Sequence, residues 1–231
     1  MKFFQKSIPV LMYHRIGPPD AASSLTVAPE SFSRQMDWLE SRSFQFLSLD
    51  EVSEQRGRTG IASRAVSISF DDGFRNNYEL AFPVLIQKEK PAAVFIVVNW
   101  VGQKNFMSWP EVREIAKAGI TIGSHSLSHR WLPRISDARE LTSEIFDSKK
   151  KIEDEIGLEV RHFSYPVGGV DERVAALVRE AGYRAAWVAG ARPSLSIQEP
   201  RFVLRRLKIS PSDAYLPRFS LKAYGVKGLF R

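Results

Sequence analysis

Two adjacent aspartates and a spaced pair of histidines hold the chemistry this sequence can express. Asp71 and Asp72 end the apolar run Ala65–Phe70, and His125 and His129 stand four residues apart. Neighbouring carboxylates repel, and one pKa rises unless a cation lies between them. Imidazoles at that spacing face the same way on one turn of helix and can share an ion. One aspartate with both histidines gives two nitrogens and one oxygen with room for water, the pattern of an open catalytic metal site and not of a closed structural one. Consecutive residues leaving a strand point in different directions, so one acid can ligate while the other stays free as a base. A bound divalent ion would keep both acids ionised and lower the pKa of its water towards about 7, which is hydrolase chemistry. The chain has no cysteine, so thiolate sites and disulfides are excluded and zinc on His and Asp is the first expectation.

These residues need a scaffold that brings distant positions together. Residues 8–14 form an apolar run that delivers His14 at its end, and residues 65–70, 92–98, 120–124, 160–165, 183–188 and 203–209 read as further buried strands, with a short one at 44–47. Helices are expected from Pro29, over 78–90, from the Ser108 cap to Gly119, from Asp137 to Gly157 with Leu141, Ile145, Ile152 and Ile156 on one stripe, and over 171–181. The polar stretch 53–63 reads as a loop. Strand alternates with helix often enough to predict an α/β fold with a parallel sheet, open or closed into a barrel. Either form puts functional groups at the C-terminal strand ends, where His14, Asp71, Asp72, His125 and the Tyr165-Pro166 turn fall.

At 231 residues, 44% hydrophobic and without a shift in composition, the chain is expected to be a single domain over 1–231. The net charge of +7 is unevenly placed: from Arg201 onward eight basic residues face Asp213 alone, and the first 200 residues balance. No nucleic-acid-binding pattern accompanies it. The basic tail, about 210–231, mixes Phe219, Leu221, Tyr224, Leu229 and Phe230 with Lys and Arg. It is expected to offer peripheral contact with an anionic membrane, about 1 kcal/mol per basic residue near the surface. No apolar run suits a signal peptide or membrane span, so the expected location is cytoplasmic, at the inner membrane face.

Ser69-Phe70-Asp71-Asp72-Gly73 resembles the first motif of the polysaccharide deacetylases, the carbohydrate esterase family 4 or NodB-like group. His125-Ser-Leu-Ser-His129 resembles their second, and Phe163-Ser164-Tyr165-Pro166 their third. The resemblance implies a distorted (β/α) barrel that removes N-acetyl groups from amino sugars of a cell-surface polysaccharide or its precursor, and the basic tail suggests that such a precursor is lipid-linked. It implies Asp71 as general base, Asp72, His125 and His129 as metal ligands, and the Tyr165 backbone N–H as an oxyanion donor. Two departures stand out. Ser164 replaces the arginine many members carry in the third motif, leaving Arg206 and Arg161 as candidates to orient Asp71. No histidine follows His162, so the late acid motif is absent. Met12-Tyr13-His14 resembles the N-terminal motif of the exopolysaccharide branch typified by poly-N-acetylglucosamine deacetylases, which implies His14 as the acid, with His162 structural. Trp100, Trp131 and Trp187 either stack on sugars or fill space. The competing expectations are an inactive glycan-binding relic of the fold and an O-deacetylase or deformylase on the same scaffold.

Overall fold

The structure is a computed structural model that describes residues 8–18, 23–55, 64–189 and 200–225. In chain order the elements are β1 Val10–Tyr13, β2 Arg15–Ile16, β3 Thr26–Val27, α1 Pro29–Ser41, β4 Gln45–Phe46, α2 Leu49–Glu54, β5 Ala65–Phe70, α3 Arg75–Leu80, α4 Phe82–Gln87 and β6 Ala93–Ile96. There follow α5 Trp109–Lys117, β7 Thr121–Ser124, α6 Ala138–Ile156, β8 His162–Ser164, α7 Glu172–Glu180, β9 Ala185–Ala189, β10 Leu204–Lys208 and α8 Leu216–Ala223.

Seven parallel strands of the described residues close into a ring in the order β1, β5, β6, β7, β8, β9, β10. Closure is made by β1, which pairs Val10 with Ser67 and Tyr13 with Phe70 on one side and Leu11 with Leu207 on the other. The architecture is therefore the (β/α) barrel, decided by a pairing that strand periodicity alone does not encode. Strand β4 extends β5 at its N-terminal end, and β2 and β3 form a separate short pair.

Outward-facing side chains such as Leu11, Tyr13, Ile68, Phe70, Val94 and Ile122 are buried against the helices, while Val10, Ala93, Phe95, Ala185 and Trp187 fill the lower barrel. Each fully buried side chain of this size contributes about 1.5–3 kcal/mol. Leu49 of α2 packs into that inner cluster, so α2 plugs the lower mouth. Part of the stretch read as a loop is thus helical. The Ser48-Leu-Asp-Glu51 capping box starts it: the Glu51 amide donates to Ser48 Oγ and the Ser48 amide to Glu51 Oε2. His162 serves this plug, as expected of a structural histidine: its Nε2 lies 3.2 Å from Asp50 Oδ1, and Trp187 Nε1 donates to its Nδ1 at 3.4 Å. Hydrogen bonding to His162 outweighs the cost of burial and draws the Asp50 carboxyl down to about 2.

The single helix expected over 78–90 is two, α3 and α4, with Pro83 in the first turn of the second, where its missing N–H costs nothing. The basic tail also differs from expectation. Residues 216–223 form α8, with Phe219 and Ala223 buried and Phe219 edge-on to Trp38 at 5.9 Å. Lys222 Nζ donates to Asp213 Oδ2 at 2.8 Å and to the Lys208 carbonyl at 2.7 Å, and Arg218 pairs with Asp213 at 3.2 Å. Two basic residues of α8 thus pair with Asp213, and membrane contact through this segment has no support in the structure; residues 226–231 lie outside the described residues.

Candidate active site

The upper half of the barrel is polar and buried. Asp71 follows β5, His125 follows β7, and Ser164 and Arg206 stand on β8 and β10. Arg206 reaches across the interior and binds Asp71 in fork geometry, Nη1 to Oδ1 at 2.6 Å and Nη2 to Oδ2 at 2.7 Å. It also donates to Ser164 Oγ at 2.7 Å and lies over the Phe95 ring at 4.9 Å. Of the two candidates for the missing arginine, Arg206 takes the role and Arg161 does not: Arg161 pairs with Asp50 and Glu159 at the opposite mouth. Ser164 on β8 leaves the room that the guanidinium from β10 occupies. Gly123 matters for the same reason, because a Cβ there would stand 2.5 Å from Phe95 Cδ1 and displace the ring that supports Arg206.

Electrostatics separates the two acids. Burial pushes the Asp71 carboxyl up, but Arg206 and the nearby histidines outweigh it and hold it well below the ordinary carboxylate range. Asp72 has no such partner. Burial and the charge of Asp71 push it up to about 7, with Arg206 pulling weakly the other way, and its Oδ1 is buried without a hydrogen-bond partner among the described residues. That oxygen lies 3.6 Å from His125 Nε2 and 3.4 Å from His129 Nε2. One ligand atom each from Asp72, His125 and His129 lies within 4.8 Å of the others, as a shared cation requires.

Both histidines present Nε2. His125 Nδ1 donates to the Ser164 carbonyl at 2.7 Å, which fixes the proton there and leaves the Nε2 lone pair free for a ligand. Burial lowers its pKa to about 4, so the ring is neutral, as ligation needs. The ring of His129 stacks on Trp100, centroids 4.9 Å apart.

The two histidines do not lie on a helical turn. Residues 125–129 form a loop in which Ser126 and His129 adopt left-handed φ of 66° and 62°. The turn is held by its own hydroxyls and by α6: the His129 amide donates to Ser126 Oγ, the Ser126 amide to Ser124 Oγ, and the Leu127 and Ser128 amides to Glu144. Glu144 was not singled out from the sequence, although a carboxylate between Leu141 and Ile145 on the apolar stripe is the signal that would have found it.

His14 stands just past β1, its carbonyl accepting from Asn77 Nδ2 at 2.6 Å, with Nδ1 buried and without a partner among the described residues. Tyr13 pairs with Phe70, so His14 lies beside Asp71 at the same mouth, and burial lowers its pKa. Tyr165 does not fit the oxyanion role. Its amide donates to the Trp187 carbonyl at 3.0 Å as a rung between β8 and β9, and its buried hydroxyl donates to the Phe202 carbonyl at 3.0 Å. Trp187 fills the barrel and Trp100 backs His129, which leaves Trp131, 45% exposed two residues past His129, as the aromatic open to a ligand.

A family profile described as polysaccharide deacetylase matches residues 60–186. YxkH of Bacillus subtilis, whose name places it among the polysaccharide deacetylases, is 31% identical over 205 residues, 88% of this chain and 72% of its own. The poly-beta-1,6-N-acetyl-D-glucosamine N-deacetylase of Staphylococcus aureus is 25% identical over 246 residues, 94% of this chain and 80% of its own. The solved structure of the Streptococcus pyogenes deacetylase PplD in complex with acetate superposes with a TM-score of 0.82 at 22% identity, covering 94% of this chain and 97% of that one, a likeness of fold.

Proposed function

The chain belongs to the polysaccharide deacetylase family, and from that premise we propose that it hydrolyses N-acetyl groups from the amino sugars of a polysaccharide, using a divalent cation held by Asp72, His125 and His129. The observation that carries this reading is the division of labour between adjacent acids: Asp71 is bound by Arg206, while Asp72 faces two imidazole nitrogens with an orphaned oxygen.

Asp72, His125 and His129 would hold the cation, zinc by preference, which would supply Lewis acidity for amide hydrolysis. Asp71 takes the proton of the attacking water, and Arg206 keeps it ionised and aimed. His14, at the rim, delivers a proton to the departing amine. Trp131, held with Arg134 4.4 Å over its ring, offers a stacking face for a sugar of the chain being processed. The resemblance to the Staphylococcus aureus enzyme supports an N-acetylglucosamine polymer as substrate.

Acetate release from an N-acetylglucosamine oligomer tests the reading, alongside zinc content. Wild type is expected to hold zinc and release acetate, Asp71→Asn to hold zinc without turnover, and His125→Ala to lose both. Zinc binding without acetate release by wild type would favour a glycan-binding relic, and release from O-acetyl or N-formyl substrates alone would move the acyl specificity. Both variants turning over like wild type would overturn the assignment.

A further inference from the structure

Glu144 is a buried carboxylate, 5% exposed, on the inner stripe of α6. Its Oε2 accepts the amides of Leu127 and Ser128, both at 3.0 Å, and its Oε1 accepts the Ser128 hydroxyl. Every one of these donors belongs to the loop 125–129, which begins and ends with the two histidines. Among the described residues no lysine or arginine stands within ion-pair distance of it. A buried carboxylate without a basic partner is costly to keep, and an aliphatic residue would pack this position without that cost. The loop it holds carries two non-glycine residues at positive φ, Ser126 and His129, a strained conformation that persists only where surroundings impose it. A second tie from the same helix runs through Ser148 Oγ, 2.8 Å from Ser124 Oγ, which in turn accepts the Ser126 amide.

We propose that Glu144 is a positioning residue for the cation: it clamps the strained loop so that both imidazoles converge before the ion arrives, and its negative charge offsets the ion's. This rests on the assignment of Asp72, His125 and His129 as the cation site. The clamp works through backbone and hydroxyl donors of the loop and does not require Glu144 to touch substrate.

Zinc titration of the metal-free full chain by calorimetry tests it, with wild type, Glu144→Gln and Glu144→Ala, and with folding checked by circular dichroism. The expected result is a zinc Kd raised about 10–100-fold in Glu144→Ala, the size typical of lost support to metal ligands, and raised less in Glu144→Gln, which keeps one acceptor but no charge. Saturating zinc is expected to restore most of the wild-type kcat in Glu144→Gln, with the zinc concentration for half-activation raised. Cobalt absorption bands that broaden or shift in the variants would support the loss of ligand alignment. A folded variant whose Kd lies within about twofold of wild type would overturn the proposal, even if its Tm falls, since lowered stability alone is what a purely structural residue gives. If Glu144→Ala does not fold, the isosteric Glu144→Gln decides on the same criterion. Failure of wild type itself to bind zinc would instead overturn the cation assignment.

Discussion

Replacing Asp72 by asparagine is expected to make the metal-free protein more stable at alkaline pH. In the folded chain, burial and the charge of Asp71 lift the Asp72 carboxyl from near 4 to about 7. An acid whose folded pKa is raised holds its proton more tightly in the native state, so stability is greatest below about pH 4 and declines as the pH climbs to about 7. At about 1.4 kcal/mol per pH unit, that interval amounts to about 4 kcal/mol lost by pH 8, and less than about 1 kcal/mol at pH 4. Asparagine has the same shape, carries no charge and tolerates the left-handed φ of 73° found here. For a chain of this length the gain corresponds to a Tm about 8–16 °C higher at pH 8. Urea unfolding of chelator-treated wild type and Asp72→Asn at pH 4 and pH 8 measures it. Adding zinc is expected to reverse the ranking, because wild type gains about 4 kcal/mol at a thousand times its Kd and the variant, short of a ligand, gains little. Equal stabilities at pH 8, or a gain that is the same at both pH values, would refute the view of Asp72 as a buried charge awaiting a cation.

The Arg206–Asp71 pair gives a second test: Arg206→Met is expected to cost about 3–5 kcal/mol and at least about 100-fold in kcat, since it strands a buried carboxylate and removes the group that aims it. The double variant Asp71→Asn with Arg206→Met, read by urea unfolding, is expected to recover much of that stability but no activity, and strictly additive losses would show that the two side chains are not coupled. His14→Gln is expected to lower kcat by about 100-fold or more with zinc affinity unchanged; a kcat within about threefold of wild type would place the proton donor elsewhere.

How far these features could be read from residue order depended on the range of the interaction. The alternation of strands and helices and the helix starts at Ser108 and Asp137 are local, and they fall where the spacing puts them. Ring closure is not local, because it depends on β1 finding both β5 and β10. The arginine was narrowed to two candidates, and what singles out Arg206 is alternation: on β10, Leu204 and Arg206 face inward, and a charged residue inside a closed barrel must meet an opposite charge. Helix α8 was read as a tail because its lysine and arginine look solvated until Asp213 is seen between them. The histidine loop was read as a helical turn from spacing alone, although the Ser-x-Ser between the ligands supplies hydroxyls that favour a non-helical path. That the Tyr165 amide is spent on the Trp187 carbonyl is invisible in the sequence, because a strand's last rung depends on its neighbour.

The pairing of Asp71 with Arg206 spans 135 residues and joins β5 to the strand that seals the ring. Contacts of such separation close a large loop of chain and cost more chain entropy than local ones. A chain in which β10 has not docked would keep β5 between β1 and β6 but have a gap between β1 and β9, and Asp71 would lack the Arg206 that pairs with it. The Arg206–Asp71 pair is therefore complete only when the ring is closed, so the proposed site and the cylinder are assembled together.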